Sequence, residues 1–490
     1  MIYDLAIIGA GPGGYVAAIR AAQAGLKTAL IEKEHVGGTC LNRGCIPTKS
    51  LAYVAHVMSE IDGLSGIFPS PLGGEGQGEG GRLADLAKIV ERKDKIVAGL
   101  RSGIQQLLKA RKIDLIRGTA KFLSNNEIMV VSDPSHQPPA TSHCISHQSL
   151  ATSHCIIATG STWRPLPNLA PDGKFILTSD EVLDMKALPK KLVIVGGGVI
   201  GCEFASIMRA FGSEVAIVEV AEQLLPMEDA TIARQLAASF KKREIKIFTK
   251  TTVSSAKDGK VTLSTNEVLD AEKVLVSVGR KPFTEGLGLE AIGVEMKNGF
   301  ILTDGHMKTN VSTIYAIGDV ATPKSGGGKP ALAHVASYEG TIAAHNVKCQ
   351  MSNDKRKAAN LRLVDYSVVP RPIFTDPEIG CVGMTEKQLK EKGISYKTGR
   401  FAYAALSKAV CDSSAEGMML AYVGGDEKIL GACCMGSHAT DICAEVTLAM
   451  KHGLTVKDVA ETIHAHPTYS EIVPEALEDA FGRAVHKVGR

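Results

Sequence analysis

Residues 37 to 50, GGTCLNRGCIPTKS, set Cys40 and Cys45 in a stretch crowded with Gly37, Gly38 and Gly44. Two thiols at this spacing admit three chemistries: dithiol to disulfide exchange, a structural staple, or half of a metal site. Pro47 bears on the choice, because its missing N–H suits the first turn of a helix. That places Cys45 at a helix N-terminus, where the dipole favours a thiolate and lowers the thiol pKa. Cys40, five positions earlier, is too far away on a straight helix, so the chain must bend back around Arg43 and Gly44 for the sulfurs to meet. A reducing compartment disfavours the staple, and no second cysteine pair at zinc spacing accompanies the first, so no metal centre is expected.

Two other stretches look built to hold a ligand against such a pair. LAIIGAGPGGYVAAIRAAQAG reads as a buried strand, a glycine turn at Gly9, Gly11 and Gly14, and an Ala-rich helix; the following strand, KTALIE, ends at Glu32. In this fingerprint the first glycine permits the tight turn, the second lets backbone approach a pyrophosphate, and the third lets helix pack on strand. The acid about 20 residues on accepts hydrogen bonds from a ribose diol. The pattern recurs in KLVIVGGGVIGCEFASIMRAFGSEVAIVEV, with Gly196, Gly198, Gly201 and Glu219. One such turn is a weak signal, whereas two complete copies predict two dinucleotide sites. Nothing in Glu219 and the VAEQL after it offers an arginine to a 2′-phosphate, so the second site is expected to take NAD rather than NADP.

The rest of the composition is permissive. The chain has 490 residues, enough for about three domains, and a net charge of +3 that argues for neither a nucleic-acid nor a membrane partner. Eleven cysteines at uneven spacing do not form a secreted disulfide framework, and most are expected to be reduced packing residues. The first strand begins at Tyr3 and no apolar run approaches the roughly 20 residues of a membrane span. A cytoplasmic protein is expected, or a mature form without its targeting peptide.

Taken together, GGTCLNRGCIPTKS, both glycine fingerprints, ATGS at 158 to 161, YAIGDV at 315 to 320, ALAH at 331 to 334, FTDPEIGCVG at 374 to 383 and HAHPTYSE at 464 to 471 resemble the class I pyridine nucleotide disulfide oxidoreductases. Within them the likeness is to the dihydrolipoamide-oxidising branch, and it runs from Ile2 to about Phe481. The resemblance implies an α/β fold with two Rossmann-like dinucleotide-binding domains, for FAD and NAD, plus a C-terminal α/β dimerisation domain. Residues 1–162 and 283–356 would form the FAD domain, 163–282 the NAD domain and 357–490 the interface. It also implies a homodimer that oxidises protein-bound dihydrolipoamide with NAD as acceptor and serves lipoyl domains of 2-oxo-acid dehydrogenase or glycine-cleavage complexes.

In the resemblance Cys40 and Cys45 form a redox disulfide; the thiol matching Cys45 lies against the flavin and the one matching Cys40 exchanges with substrate. A dithiol attacks only as a thiolate, so a base of near-neutral pKa is needed. The resemblance supplies His466, oriented by Glu471, from the partner subunit, with His464 lining the substrate channel. Lys49 falls near the flavin N5 edge, with Glu203 as its partner near the nicotinamide. The implied FAD contacts are Gly9, Gly11, Gly14, Glu32, Thr39, Lys49, Ala120, Ala158, Thr159, Gly160, Asp319, Ala331, Leu332, Ala333 and His334. Those for NAD are Gly196, Gly198, Gly201, Glu203, Glu219, Val253 and Gly279.

Two stretches depart from the family pattern. SPLGGEGQGEGG at 70 to 81 is too polar and glycine-rich to pack. The stretch from 134 to 156 contains ATSHC twice; a duplicated insertion at a hairpin tip is expected there, rather than a metal site. The adjacent Cys433 and Cys434, in the apolar run KILGACCMGS, are read as packing residues.

Overall fold

A computed structural model describes the chain apart from residues 1, 64–83, 133–146, 327, 354, 355, 357, 358, 489 and 490, so the glycine-rich stretch at 70–81 lies outside the described residues. The chain divides into two compact units. The first comprises Met1–Pro47, Arg92–Arg164 and Arg280–Tyr366; the second comprises Thr48–Glu91, Pro165–Gly279 and Ser367–Arg490.

The first unit is organised by the strand Ile2–Ile8, whose seven residues IYDLAII can alternate between two buried faces. Leu5 and Ile7 enter one apolar cluster with Ala17, Ala18, Leu30 and Ile156, while Ala6 and Ile8 enter another with Ile31, Phe122, Ile128 and Ile157. Each fully buried aliphatic side chain of this kind stabilises the fold by about 1.5–3 kcal/mol. The strand pairs in parallel with Thr28–Glu32 on one side and His147–Ile157 on the other. Asp114–Arg117 extends the sheet beyond Thr28–Glu32; Ile314–Ala316 pairs with the end of His147–Ile157, and Glu127–Val131 and Thr119–Ser124 continue it in antiparallel sense. The helices Pro12–Gln23 and Ala333–Gln350 pack against each other through small residues: a Cβ at Gly340 would lie 2.5 Å from Gly13 O and 3.3 Å from Ala17 Cβ.

The antiparallel strand pair before IIATGS exists, but its second strand begins earlier than the sequence suggested. The second ATSHC copy, residues 151 to 155, lies inside the strand His147–Ile157, paired with Ile2–Ile8, and buries Thr152 and Cys155. This polar segment supplies a strand through its backbone pairing with Ile2–Ile8 and Ile314–Ala316. The first copy falls within the stretch that is not described.

Besides a small antiparallel sheet formed by Val253–Lys257, Lys260–Leu263 and Val268–Asp270, the second unit contains two five-stranded sheets. One is parallel, in the order Lys246–Phe248, Glu214–Val218, Lys191–Val195, Lys273–Val276, Ile176–Leu177, with the helix Val199–Ala210 following the second glycine turn. The other is antiparallel, in the order Arg371–Ile373, Ile379–Gly383, Ile429–Met435, Met418–Val423, Lys397–Ala402, with the helices Ala439–Lys451 and Ile472–Asp479 beside it. Cys433 and Cys434 point to opposite faces of this sheet and belong to different apolar clusters. Cys434 is a buried packing residue whose Sγ lies 3.3 Å from the Tyr403 hydroxyl. Cys433, read from sequence as packing alone, is instead disulfide-bonded to Cys381, directly opposite on the neighbouring strand.

Candidate active site

Both glycine turns share one construction. Gly9 and Gly196 have φ of +99° and +109°, a region that favours glycine. A Cβ at Gly14 would lie 1.8 Å from Gly9 O, and one at Gly201 would lie 1.9 Å from Gly196 O, so each helix sits directly on its turn. The middle glycines differ. Among the described residues, an added Cβ at Gly198 meets nothing within 4 Å, and at Gly11 its nearest neighbour is Gly38 Cα at 3.9 Å. These glycines are the N-caps and offer no side-chain cap to the first helical turn. An open side beside uncapped N–H groups at a helix N-terminus suits a pyrophosphate.

The two strand-end acids are also held alike. Glu32 accepts hydrogen bonds from the amides of Ala10 at 2.7 Å and Glu34 at 2.8 Å; Glu219 accepts from Gly197 at 2.6 Å and Ala221 at 2.7 Å. One amide bond per oxygen fixes each carboxylate beside its turn and leaves lone pairs for a sugar diol. Burial pushes the Glu32 pKa up, with the Ala10 amide and neighbouring cations acting in opposition. The residues present therefore fit a dinucleotide at each turn.

The cysteine segment is seated on the first turn. Gly37 N–H donates to Ala10 O at 2.7 Å, and Gly38, at φ +56°, lies so close that an added Cβ would be 2.6 Å from Gly11 Cα. From there the short helix Gly38–Arg43 carries Thr39 and Cys40. Gly44 then folds the chain back: its Cβ would lie 2.9 Å from Thr39 O and 3.4 Å from Cys40 Cα. The next helix, Cys45–Gly63, begins at Cys45 itself. Both thiols are half-buried and near each other. Asn42 braces the segment by donating to Val36 O and Gly38 O while accepting from Arg101 Nε at 3.0 Å and Nη2 at 2.7 Å.

HAHPTYSE forms a second constellation. Glu471 accepts the Thr468 amide at 2.8 Å on Oε2 and meets His466 Nδ1 at 2.8 Å with Oε1. A carboxylate at Nδ1 places the ring hydrogen there and leaves Nε2 with a lone pair for a proton. Burial alone would raise the Glu471 pKa, but the Thr468 amide and the His466 ring outweigh it and hold the carboxyl below its usual range. His466 is 69% exposed in the single chain, open to a reacting group from outside it. The His466–Pro467 peptide is cis. His464 is engaged elsewhere, with Nε2 2.8 Å from Glu445 Oε1 and Nδ1 2.8 Å from Thr462 O.

The chain matches the pyridine nucleotide-disulphide oxidoreductase family over residues 3–340 and the dimerisation domain of that family over residues 369–477. The chain belongs to the pyridine nucleotide-disulphide oxidoreductases. A protein named dihydrolipoyl dehydrogenase from Chlamydia muridarum is 39% identical, covering 99% of this chain and 98% of that one. Another of that name from Bacillus subtilis is also 39% identical, with 99% of each covered. Among solved structures, an HOCl-induced flavoprotein disulfide reductase from Escherichia coli superposes with a TM-score of 0.81 at 27% identity, covering 97% of this chain and 99% of that one. The α/β fold of this oxidoreductase, with Rossmann-like dinucleotide-binding regions and a C-terminal dimerisation domain, is therefore that of the flavoprotein disulfide reductases.

Lys49 Nζ donates to both oxygens of Glu203, at 2.9 and 2.8 Å, and Glu203 also accepts the Phe374 amide at 2.9 Å. Ala158 abuts the first turn, since a Cβ at Gly9 would lie 2.4 Å from Ala158 O, and Thr159 donates to Phe283 O at 2.6 Å. Gly160 and Gly279 have positive φ, and nothing among the described residues lies within 4 Å of a Cβ at either. Ala331 and Leu332 lead into the helix Ala333–Gln350, which carries His334 and approaches the first turn where Ala336 O lies 3.0 Å from a Cβ at Gly13. Ala120 and Val253 have side chains in apolar clusters.

Several residues of the oxidoreductase were not read from sequence. Tyr15 has its pKa raised by burial and by Cys40, which places the hydroxyl in the electrostatic reach of that thiol. Its only signal was adjacency to Gly14. Asp319 accepts Ser161 Oγ at 2.6 Å, and Ser161 Oγ in turn accepts Arg280 Nε at 2.7 Å. Ser161 belongs to ATGS, so that motif contained a clue; Arg280 is distant in sequence and gave none.

Proposed function

We propose that this chain oxidises dihydrolipoamide to lipoamide with NAD as acceptor, using a Cys40–Cys45 redox disulfide and bound FAD. The observation that carries the reading is the seating of the thiol segment on a dinucleotide turn: Gly37 bonded to Ala10 and Gly38 against Gly11. On this reading residues 1–162 with 283–356 hold FAD, 163–282 hold NAD and 357–490 form a homodimer interface. Glu32, Thr39, Ala158, Asp319 and the 331–334 segment serve the flavin; Glu203, Glu219, Val253 and Gly279 serve the nicotinamide nucleotide. The protein is placed in the cytoplasm, where lipoyl domains of 2-oxo-acid dehydrogenase or glycine-cleavage complexes would reach it.

One substrate thiol loses its proton to Nε2 of His466 of the partner subunit, and the thiolate attacks Cys40 Sγ. The Cys40–Cys45 bond breaks, and Cys45 leaves as a thiolate stabilised at the start of its helix. The second substrate thiol attacks the substrate sulfur of the mixed disulfide, closing lipoamide and releasing Cys40. FAD, when bound, supplies the two-electron chemistry that links the dithiol to NAD. Lys49, one turn beyond Cys45, brings positive charge to that side of the site, and Glu203 holds its ammonium in place. Overall one dithiol and one NAD⁺ give one disulfide, one NADH and one proton.

The test is NADH formation by the purified holoenzyme on dihydrolipoamide, compared with a Cys45→Ser variant. NAD reduction that disappears in the variant supports the proposal. Reduction of glutathione disulfide by NADPH, with no turnover of dihydrolipoamide, would overturn it.

A further inference from the structure

Glu339 lies in the middle of the helix Ala333–Gln350 with 0% of its surface exposed, an unusual place for a carboxylate. Its Oε2 accepts the Gly318 amide at 2.6 Å. Lys329 Nζ donates to both of its oxygens, at 2.6 and 2.7 Å, and to Gly318 O at 2.8 Å. Tyr366 adds a hydroxyl donor to Oε1 at 2.5 Å. The N–H and C=O of Gly318, at φ +69°, are thus both tied to one buried ion pair. Asp319 follows at once, its carboxylate separately held by Ser161 Oγ, which itself accepts Arg280 Nε.

Buried ion pairs are poor devices for stability, since apolar replacements of both partners are often neutral or better, and in some proteins they serve to specify geometry instead. A leucine or methionine packing would fill the same space without setting the peptide plane of Gly318. We infer that Lys329 and Glu339 are positioning residues for the flavin: they lock the Gly318–Asp319 turn in the orientation that offers Asp319 to FAD. The inference rests on the reading of Asp319 as an FAD contact.

The test is reconstitution of the full-length apoprotein with FAD, following the quenching of flavin fluorescence, with thermal melts recorded with and without FAD. The variants are Glu339→Gln, the double Lys329→Met/Glu339→Gln, and Asp319→Asn. Loss of a charge-assisted hydrogen bond at the turn is expected to weaken FAD binding about tenfold or more in Glu339→Gln and in Asp319→Asn. The double variant strands no buried charge, so its apoprotein is expected to melt near the wild type while its FAD affinity stays low. A purely structural pair would instead lose and regain melting temperature and affinity together. Wild-type FAD affinity in the double variant, with Asp319→Asn impaired, overturns the clamp alone. Wild-type affinity in Asp319→Asn overturns the reading of Asp319 beneath it. Should Glu339→Gln fail to fold, the double variant carries the comparison.

Discussion

The two glycines Gly198 and Gly201 sit three residues apart, yet their replacement by alanine should fail in different ways. At Gly201 the new methyl would lie 1.9 Å from Gly196 O, about 1.5 Å short of ordinary contact. That carbonyl cannot swing aside, because it shares its peptide plane with the Gly197 amide, which is bonded to Glu219 Oε2 at 2.6 Å. The helix Val199–Ala210 must therefore move, and it carries Cys202, Phe204, Ala205, Ile207 and Met208 into the core. Overpacking of this kind costs about 3 kcal/mol or more. At Gly198 the backbone is at φ −75°, ψ −170°, open to alanine, and no atom of the described residues lies within 4 Å of the added Cβ. The weaker N-cap costs about 1 kcal/mol or less. On the proposed reading the methyl stands where backbone approaches the pyrophosphate, so the KM for NAD should rise about tenfold or more. Thermal melts, the flavin spectrum and steady-state NAD kinetics separate the two outcomes. Gly201→Ala should melt early, and Gly198→Ala should melt like the wild type, keep its flavin and need more NAD. A wild-type KM for NAD in Gly198→Ala, or a wild-type melt in Gly201→Ala, refutes the reasoning.

Cys40→Ser should keep the long-wavelength absorbance of a thiolate beside flavin but lose turnover, whereas Cys45→Ser should lose both; the reverse pattern in visible spectra would exchange their roles. Lys49→Met withdraws two hydrogen bonds from the buried Glu203 carboxylate and should destabilise the protein by about 3–5 kcal/mol in denaturant titrations, with Lys49→Met/Glu203→Gln recovering most of it. Glu471→Gln should lower kcat about 10²-fold by loosening His466. The same carboxyl has a depressed pKa in the fold, so its stabilising contribution is full above the ordinary value of 4.5 and fades as pH falls through the lowered one. Urea midpoints of wild type and Glu471→Gln should converge toward acid, and a gap that widens below pH 4.5 would contradict this.

What could be read in advance was whatever a local constraint dictates. Gly14 and Gly201 announce themselves because nothing larger fits against Gly9 and Gly196, and Pro47 marks the start of the helix that opens at Cys45. Hidden features depend on chain distant in sequence. Cys433 finds Cys381 across 52 residues, through strand register that no local pattern reveals. Glu339 sits among Ala, Gly and Val on a helix, and only the fold brings Lys329, Gly318 and Tyr366 to it. The second ATSHC copy misled for a related reason: its duplication suggests a loop, while its role as a strand is set by the neighbours it pairs with, Ile2–Ile8 and Ile314–Ala316.

The repeat of the glycine turn also explains why only one copy carries thiols. In both, the chain leaves the strand-end acid and returns to bond the same carbonyl of the turn: Gly37 N–H to Ala10 O at 2.7 Å in the first, Leu225 N–H to Gly197 O at 2.8 Å in the second. The returning segments are chemically opposite. In the first, Gly37 and Gly38 have no side chains, so backbone lies on backbone and Cys40 follows within two residues. In the second, Leu224 and Leu225 are buried against the turn, with a Leu224 methyl 2.6 Å from a Cβ at Gly197. An apolar plug there protects a binding site; a glycine platform there leaves room for a reacting group beside the ligand. Replacing Gly38 by leucine would therefore convert the first arrangement toward the second. Its methylenes would collide with Gly11 Cα, already 2.6 Å from the first added carbon. Loss of both FAD retention and thiol-dependent turnover is the expected result. A Gly38→Leu protein that binds FAD and turns over like the wild type would show that the platform is not what couples thiols to the dinucleotide.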